Sequence, residues 1–463
     1  MKYLMLILCS GLFTSVVTAQ EKITGKIVDL KNKPVAFAHI YFSEKVGTIS
    51  NDSGYFQLKI KHQTKPDDSL SISSIGFKGI RVNVNDYNNL EFLAIRLIQK
   101  SRVLKPVTIT SNDNNVDSAY ILVKTAIDKI VENYPVKKHT LHVFYREATI
   151  TDTVYSRLSE TLALVNSPSY RKSIDELKIE VKSIRKTQDK RKLDWRESLT
   201  AWLYKKNGIY TTLQRNRLRI KSRTFMAEYY ENKSLDENSE SRFFNKHFLT
   251  HTSFTLKNEY VNNQDTIYRI TYVPTVKSKY LSANVKATEG ELHINKKDLA
   301  IVEIISTAYC DNNALSIYHL DGKHKNEFSK CWNCQSKKNR VINDSIYNYT
   351  YIKYQKHKDH KYYPKVISYK SNTGHNSESM LYSEFNQNYL NHGKIGNLYI
   401  HNELYVLDIL PWRKIKRKNT LSKSEEIHEL EKTGTWDKVN LPLISPLNEK
   451  MKKDLSQNDK LFE

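Results

Sequence analysis

Gly290-Glu-Leu-His-Ile-Asn295, then Lys296-Lys297-Asp298, then Leu299-Ala-Ile-Val-Glu-Ile-Ile-Ser306 is the stretch that decides the fold. Both arms alternate along their length, and the polar triplet between them turns the chain, so the stretch reads as a hairpin. The same texture recurs on either side. Upstream, Leu141, Val143 and Tyr145 alternate with His142, Phe144 and Arg146. The segment 154–166 holds Glu160-Thr-Leu-Ala-Leu-Val165, and Tyr268 to Val273 is an aromatic strand. Downstream, 362–369 and 379–386 add further strands. The region 136–400 is therefore expected to form one large antiparallel sheet, curved or half-closed.

The segment 20–110 reads differently, as short strands with frequent turns. Stretches at 23–28, 36–42, 55–60, 69–74, 80–84 and 92–97 each last four to seven residues. In one of them Ile80, Val82 and Val84 alternate with Arg81 and Asn83, the pattern of a strand with one buried face. Asn51-Asp52-Ser53-Gly54 is a turn in which Asp caps its own backbone and Gly54 supplies the positive φ that closes a hairpin. This spacing predicts an immunoglobulin- or transthyretin-like β-sandwich.

Between the two β regions, 115–135 reads as a helix. Val116, Tyr120, Val123, Ile127, Ile130 and Tyr134 form an apolar stripe, Asn115 or Asp117 caps the start, and Pro135 ends it. It is expected to connect the sandwich to the sheet. The segment 401–463 reads as a basic run near Trp412 followed by a helical tail. The fold class is mainly β, an α+β arrangement. The 30 Tyr and 15 Phe support it, because aromatics fit a pleated, half-buried surface. At 463 residues the chain has room for about three domains.

Residues 1–19 read as a signal peptide: Met1-Lys2, an apolar stretch from Tyr3 to Val17, and small residues in Val17-Thr18-Ala19 before Gln20. Cys9 follows Leu8 where lipidation needs a small residue. The mature chain is thus expected to be exported, with no transmembrane segment. Net charge is +23, from 73 Lys and Arg against 50 Asp and Glu, which favours polyanionic partners. Export removes nucleic acid from the candidates and leaves anionic lipid or acidic glycan.

Gly25, Asp29, Pro34-Val35, Ala38, Gly47-Thr48, Asn51-Asp52, Gly54, Phe56, Leu58 and Ser73-Ser74-Ile75-Gly76-Phe77 resemble the carboxypeptidase-regulatory-like domain. That resemblance implies a transthyretin-like accessory module without catalytic residues, common in Bacteroidetes envelope proteins and at the front of TonB-dependent receptors. The receptor's plug and barrel do not follow here. Farther on, Phe144-Tyr145-Arg146-Glu147, Ser159-Glu160, Tyr170, Lys186 and Trp436-Asp-Lys-Val-Asn440 resemble an envelope family that follows this module in Bacteroidetes. Val439 departs from that family's usual aromatic. The second resemblance implies layout and location alone: the periplasm or the periplasmic face of the outer membrane, with an outer-membrane protein as a further candidate partner.

Catalytic constellations are weak. His324/Glu327, His375/Glu378 and His428/Glu431 share a His-x-x-Glu spacing that a chain with 15 His shows by chance. No third ligand, substrate-binding Arg and general base accompany them as a zinc peptidase requires. Gly-x-Ser-x-Gly and phosphate-cradling Gly-rich loops are absent from the sequence. Cys310 is expected to pair with Cys331 or Cys334 in an oxidising compartment. A zinc site adding His319 or His324 to the three sulfurs is the other chemistry open to them. In Arg215-Asn-Arg-Leu-Arg-Ile-Lys-Ser-Arg223, a strand would put Arg215, Arg217, Arg219, Lys221 and Arg223 on one face, with Leu218 and Ile220 towards the core. That row is either a ladder for an acidic polymer or an edge strand guarded by charge. The sequence points to an exported, non-catalytic envelope binding or scaffold protein without a cofactor. The alternatives are an envelope-polymer hydrolase and a lipid carrier using a half-closed sheet.

Overall fold

The computed structural model describes residues 21–43, 46–60, 68–74, 76–84, 92–99, 115–151, 153–167, 177–188, 190, 220, 248–249, 252–262, 265–274, 287–309, 347–372, 398–413, 415, 436 and 448–456. These divide into two units, 21–99 and 115–456.

The first unit is a sandwich of two sheets. One has the order β4-β1-β7, from Tyr55–Ile60, Glu21–Asp29 and Leu93–Leu97. The other has the order β3-β2-β5-β6, from Val46–Ile49, His39–Ser43, Ser69–Ser73 and Ile80–Asn83. β4 alternates half-buried and buried along its length, and its buried set is Phe56, Leu58 and Ile60. These pack with Ile27 and Ile95 of their own sheet and Ile40, Leu70 and Ile72 of the other, which makes one core. Each fully buried side chain of this size contributes about 1.5–3 kcal/mol.

Asn51 to Gly54 does not close a hairpin. It carries the chain from β3 in one sheet to β4 in the other. The side chain that holds it is Asn51, whose Oδ1 accepts from the Ser53 and Tyr55 amides at 3.0 and 2.9 Å. Gly54 sits at φ +81°, and a Cβ there would run into the Ile27 carbonyl. β3 was not expected, because four residues give too short a run to register as alternation.

The second unit is built on a ten-stranded antiparallel sheet. Its first strands are β8 (His139–Thr151), β9 (Val154–Ser167) and β10 (Lys178–Lys186). Then come β11 (Thr252–Asn262), β12 (Asp265–Pro274), β13 (Ala287–Asn295), β14 (Ile301–Tyr309), β15 (Tyr347–Lys356), β16 (Tyr362–Asn372) and β17 (Leu398–Pro411). Two meanders meet in the middle, β8 to β10 running outwards and β11 to β17 returning, so that β17 pairs β8. The sheet therefore extends past residue 400, and its last strand is central. The expected hairpin is present, with Lys296 to Asp298 as its turn. Gly290 faces the Ile305 carbonyl so closely that a Cβ would not fit.

The helix forms as α1 (Asn115–Asp128) and α2 (Ile130–Asn133), and Tyr134 leaves it in extended backbone. Its buried line is Ala119, Val123, Ala126 and Ile130, with Tyr120 and Ile127 on the flank. The buried line, which includes two alanines, is thus rotated from the bulky stripe. α1 packs on β11, with Tyr120 and Phe254 rings 6.4 Å apart. The helix belongs to the sheet's unit, and Tyr134 clamps it there by donating its hydroxyl to the Ile301 carbonyl. A last helix, α3 (Asn448–Leu455), packs on β9, where Asp454 Oδ2 accepts from the Tyr155 amide at 2.9 Å. Among the described residues, no helix is long and apolar enough to cross a membrane.

Candidate functional site

β8 and β9 are buried on both faces, so their alternation separates two buried environments rather than core from solvent. One face carries Leu141, Val143 and Tyr145 with Leu404, Ile367 and Ile352 from β17, β16 and β15. Even here one ion pair is buried. Arg157 Nη1 lies 2.7 Å from Glu147 Oε1, and the Tyr145 hydroxyl donates to Glu147 at 3.0 Å.

The other face carries a row of charges. Register sets Arg185 opposite Glu160, Glu160 opposite Arg146, and Arg146 opposite Glu403, across β10, β9, β8 and β17. Arg146 Nε donates to Glu160 Oε1 at 2.7 Å and Nη1 to Glu403 Oε2 at 3.3 Å. Arg185 Nε donates to Glu160 Oε2 at 2.6 Å. Burial by itself would raise the Glu160 carboxyl, but the guanidiniums of Arg146 and Arg185 outweigh it and hold the group below the usual carboxylate range. Burial likewise works against the Arg146 charge, and Glu160 and Glu403 more than compensate. Aromatics flank the row. Arg146 lies over Phe144 at 5.0 Å, Phe144 stacks on Tyr405 at 6.0 Å, and Trp436 meets Phe144 edge-on at 6.4 Å. Arg185 stacks over Trp436 at 4.4 Å.

Farther along the same face a second row crosses β12 to β15, with Arg269 opposite His293, His293 opposite Glu303, and Glu303 opposite Lys353. Arg269 grips Glu291 through Nε at 2.8 Å and Nη2 at 2.5 Å. His293 bridges the Tyr260 hydroxyl, 2.6 Å from Nδ1, and Glu291, 3.2 Å from Nε2. Burial pushes the Glu291 carboxyl up, and the hydrogen bonds from His293 and Arg269 override it, bringing the pKa down to about 2. Burial lowers Lys353 to about 8, against the opposing pull of Glu303. The Tyr260 phenol is raised by burial and by Glu303, so it stays protonated and acts as a donor.

The chemistry follows from the pairing. A general acid needs a carboxyl raised towards neutrality, and a metal needs carboxylate oxygens that are not already engaged. Glu160 and Glu291 are held ionised by guanidinium groups, which suits them to fixing strands in register.

The residues Phe144, Tyr145, Arg146, Glu147, Ser159, Glu160, Lys186 and Trp436, far apart in the sequence, fall on adjoining strands or against them. Tyr170 and 437–440 lie outside the described residues. So do Cys310, Cys331, Cys334, His319, His324, the three His-x-x-Glu pairs, residues 1–19, and Arg215, Arg217, Arg219, Lys221 and Arg223. Ile220, between those cations, is described; it is fully buried with helical backbone. Sequence reasoning missed Arg157, Arg185, Glu403, Arg269, Glu291, His293, Tyr260, Glu303 and Lys353 as partners. The one local signal was Glu-x-His at 291 and 293, two residues sharing a strand face.

No curated protein matches the chain. Among solved structures it is similar to an outer membrane lipoprotein-sorting protein domain from Vibrio parahaemolyticus, at 7% identity and TM-score 0.26, covering 65% of this chain and 96% of that one. It is also similar to a DUF1329 family protein from Desulfovibrio piger, at 8% identity and TM-score 0.24, covering 68% and 99%. A LolA superfamily protein from Nitrosomonas europaea aligns at 9% identity and TM-score 0.20, covering 65% and 96%. Superpositions this loose carry no argument about ligand or mechanism. Residues 23–109, the N-terminal sandwich, match the family model for the CarboxypepD_reg-like domain.

Proposed function

We propose that the protein is an exported, non-catalytic component of the cell envelope that binds or scaffolds an anionic envelope component. One observation carries this reading: the charges on the large sheet are matched to one another across neighbouring strands. Arg185, Glu160, Arg146 and Glu403 alternate in sign along one row. Such a row fixes geometry and presents no group poised for proton transfer. The net charge of +23 supplies the attraction for an acidic partner.

The test is binding to acidic glycan and to anionic vesicles by wild type and by Arg217→Gln/Arg219→Gln. The reading expects weaker binding by the variant at unchanged thermal stability. Equal binding by both proteins at low salt would remove the ladder from the account. Hydrolysis of a generic peptide after zinc loading would replace the binding reading with an enzymatic one.

A further inference from the structure

The registers bring the start of β8, the end of β9, the start of β10 and the end of β17 to one end of the sheet: His139 pairs with Ser167 and Pro411, and Asn166 with Lys178. The backbone there is pinned. Asn166 Nδ2 donates to the Arg413 carbonyl at 2.5 Å, and the Arg413 amide donates to Thr140 Oγ1 at 3.3 Å. From this fixed edge two apolar side chains project, Trp412 at 45% and Val136 at 40% exposure. Lys137, Lys138, Lys178 and Arg413 are exposed around them, and the Lys138 ammonium sits over the Trp412 ring at 5.6 Å. Of the acids nearby, Glu180 is taken by Arg413 at 3.0 Å and by Lys182, and Asp408 acts on the neighbouring His142.

We infer that this end of the sheet docks on the surface of an anionic lipid bilayer, Trp412 and Val136 entering the headgroup layer and the surrounding cations meeting lipid phosphates. The combination favours a bilayer over a soluble polymer. Indole is suited to the interface because its body is apolar and its N–H is polar, and long cationic side chains hold an apolar tip at that depth. An acidic glycan would use the cations and leave Trp412 and Val136 in water. The inference deepens the anion-binding reading and rests on it, naming the ligand class and the surface.

The experiment is co-sedimentation of the full chain with phosphatidylcholine vesicles, with and without phosphatidylglycerol, for wild type, Trp412→Ala and Lys137→Glu/Lys138→Glu. Wild type is expected to bind the anionic vesicles alone, and the double reversal to lower the partition coefficient about 20-fold or more, each lysine near the surface being worth about 1 kcal/mol. Trp412→Ala is expected to weaken binding to anionic vesicles, and bromine-labelled lipid to quench a component of the fluorescence that Trp412→Phe lacks. If Trp412→Ala fails to fold, the lysine reversals at exposed positions still decide the point. Anionic-vesicle binding that survives the reversals overturns this surface and leaves the anion-binding reading standing. Binding to acidic glycan but not to vesicles overturns the lipid and keeps that reading. Binding to neither overturns both.

Discussion

In the N-terminal sandwich, β4 buries Phe56, Leu58 and Ile60 and turns Tyr55, Gln57 and Lys59 outwards, so alternation separates core from solvent. In the large sheet the same period-two alternation puts Arg146 and Glu160 inside as thoroughly as Leu141 and Val143. A small sandwich holds its register by burying one face, and a one-residue slip would expose that face. A strand covered on both sides has no such penalty, because either face is buried in any register. There the directly opposed pairs Arg185–Glu160, Arg146–Glu160 and Arg146–Glu403 select the register, since a slip would leave buried charges unmatched.

The sharpest way to break that comparison is to remove one member from each unit. Phe56→Ala is expected to cost about 3–5 kcal/mol of sandwich stability through the cavity it leaves, at any pH between neutrality and mild acid. Arg146→Ala is expected to cost about as much, about 3–5 kcal/mol, by leaving Glu160 with Arg185 as its cation and taking the guanidinium away from Glu403. Its cost should shrink in acid, as the depressed Glu160 carboxyl takes up a proton. Urea denaturation at two pH values distinguishes the two, and equal pH dependence would contradict the contrast.

A smaller effect concerns Glu291. Its carboxyl is depressed in the folded state, so the contribution is fully present above the unfolded carboxylate pKa of about 4.3 and is lost as pH falls towards about 2. The size is on the order of 2–3 kcal/mol, and Glu291→Gln should flatten the acid limb of the stability curve. Lys353 gives a slope of the same sign in a higher pH window. Its folded pKa of about 8 lies below that of a free lysine, so the unfolded chain binds more protons between about 8 and 10.4, and stability should rise with pH there. Gly54→Ala adds about 1–3 kcal/mol of left-handed backbone strain, besides the cost of moving the Ile27 carbonyl off the new Cβ, visible as a lowered midpoint for the sandwich alone.

The elements were largely legible from the sequence. Residues 55–60 are a strand with those limits, and the 290–306 hairpin turns at Lys296 to Asp298. What local pattern missed was set by distant partners. β17 reads as the start of a tail because nothing within Leu398–Pro411 announces that it pairs with a strand some 250 residues earlier. Arg146 and Glu403 are separated by 257 positions, so no spacing rule links them. Arg146, Glu147 and Glu160, noted together in the sequence, are each one half of a buried ion pair.

The most direct test of the account is the salt dependence of binding by the full chain to phosphatidylglycerol-containing vesicles and to an acidic glycan. The account predicts binding to at least one at low ionic strength, falling steeply as salt shortens the Debye length to about 8 Å near physiological strength. No binding to either at low salt, or binding indifferent to salt, would contradict it.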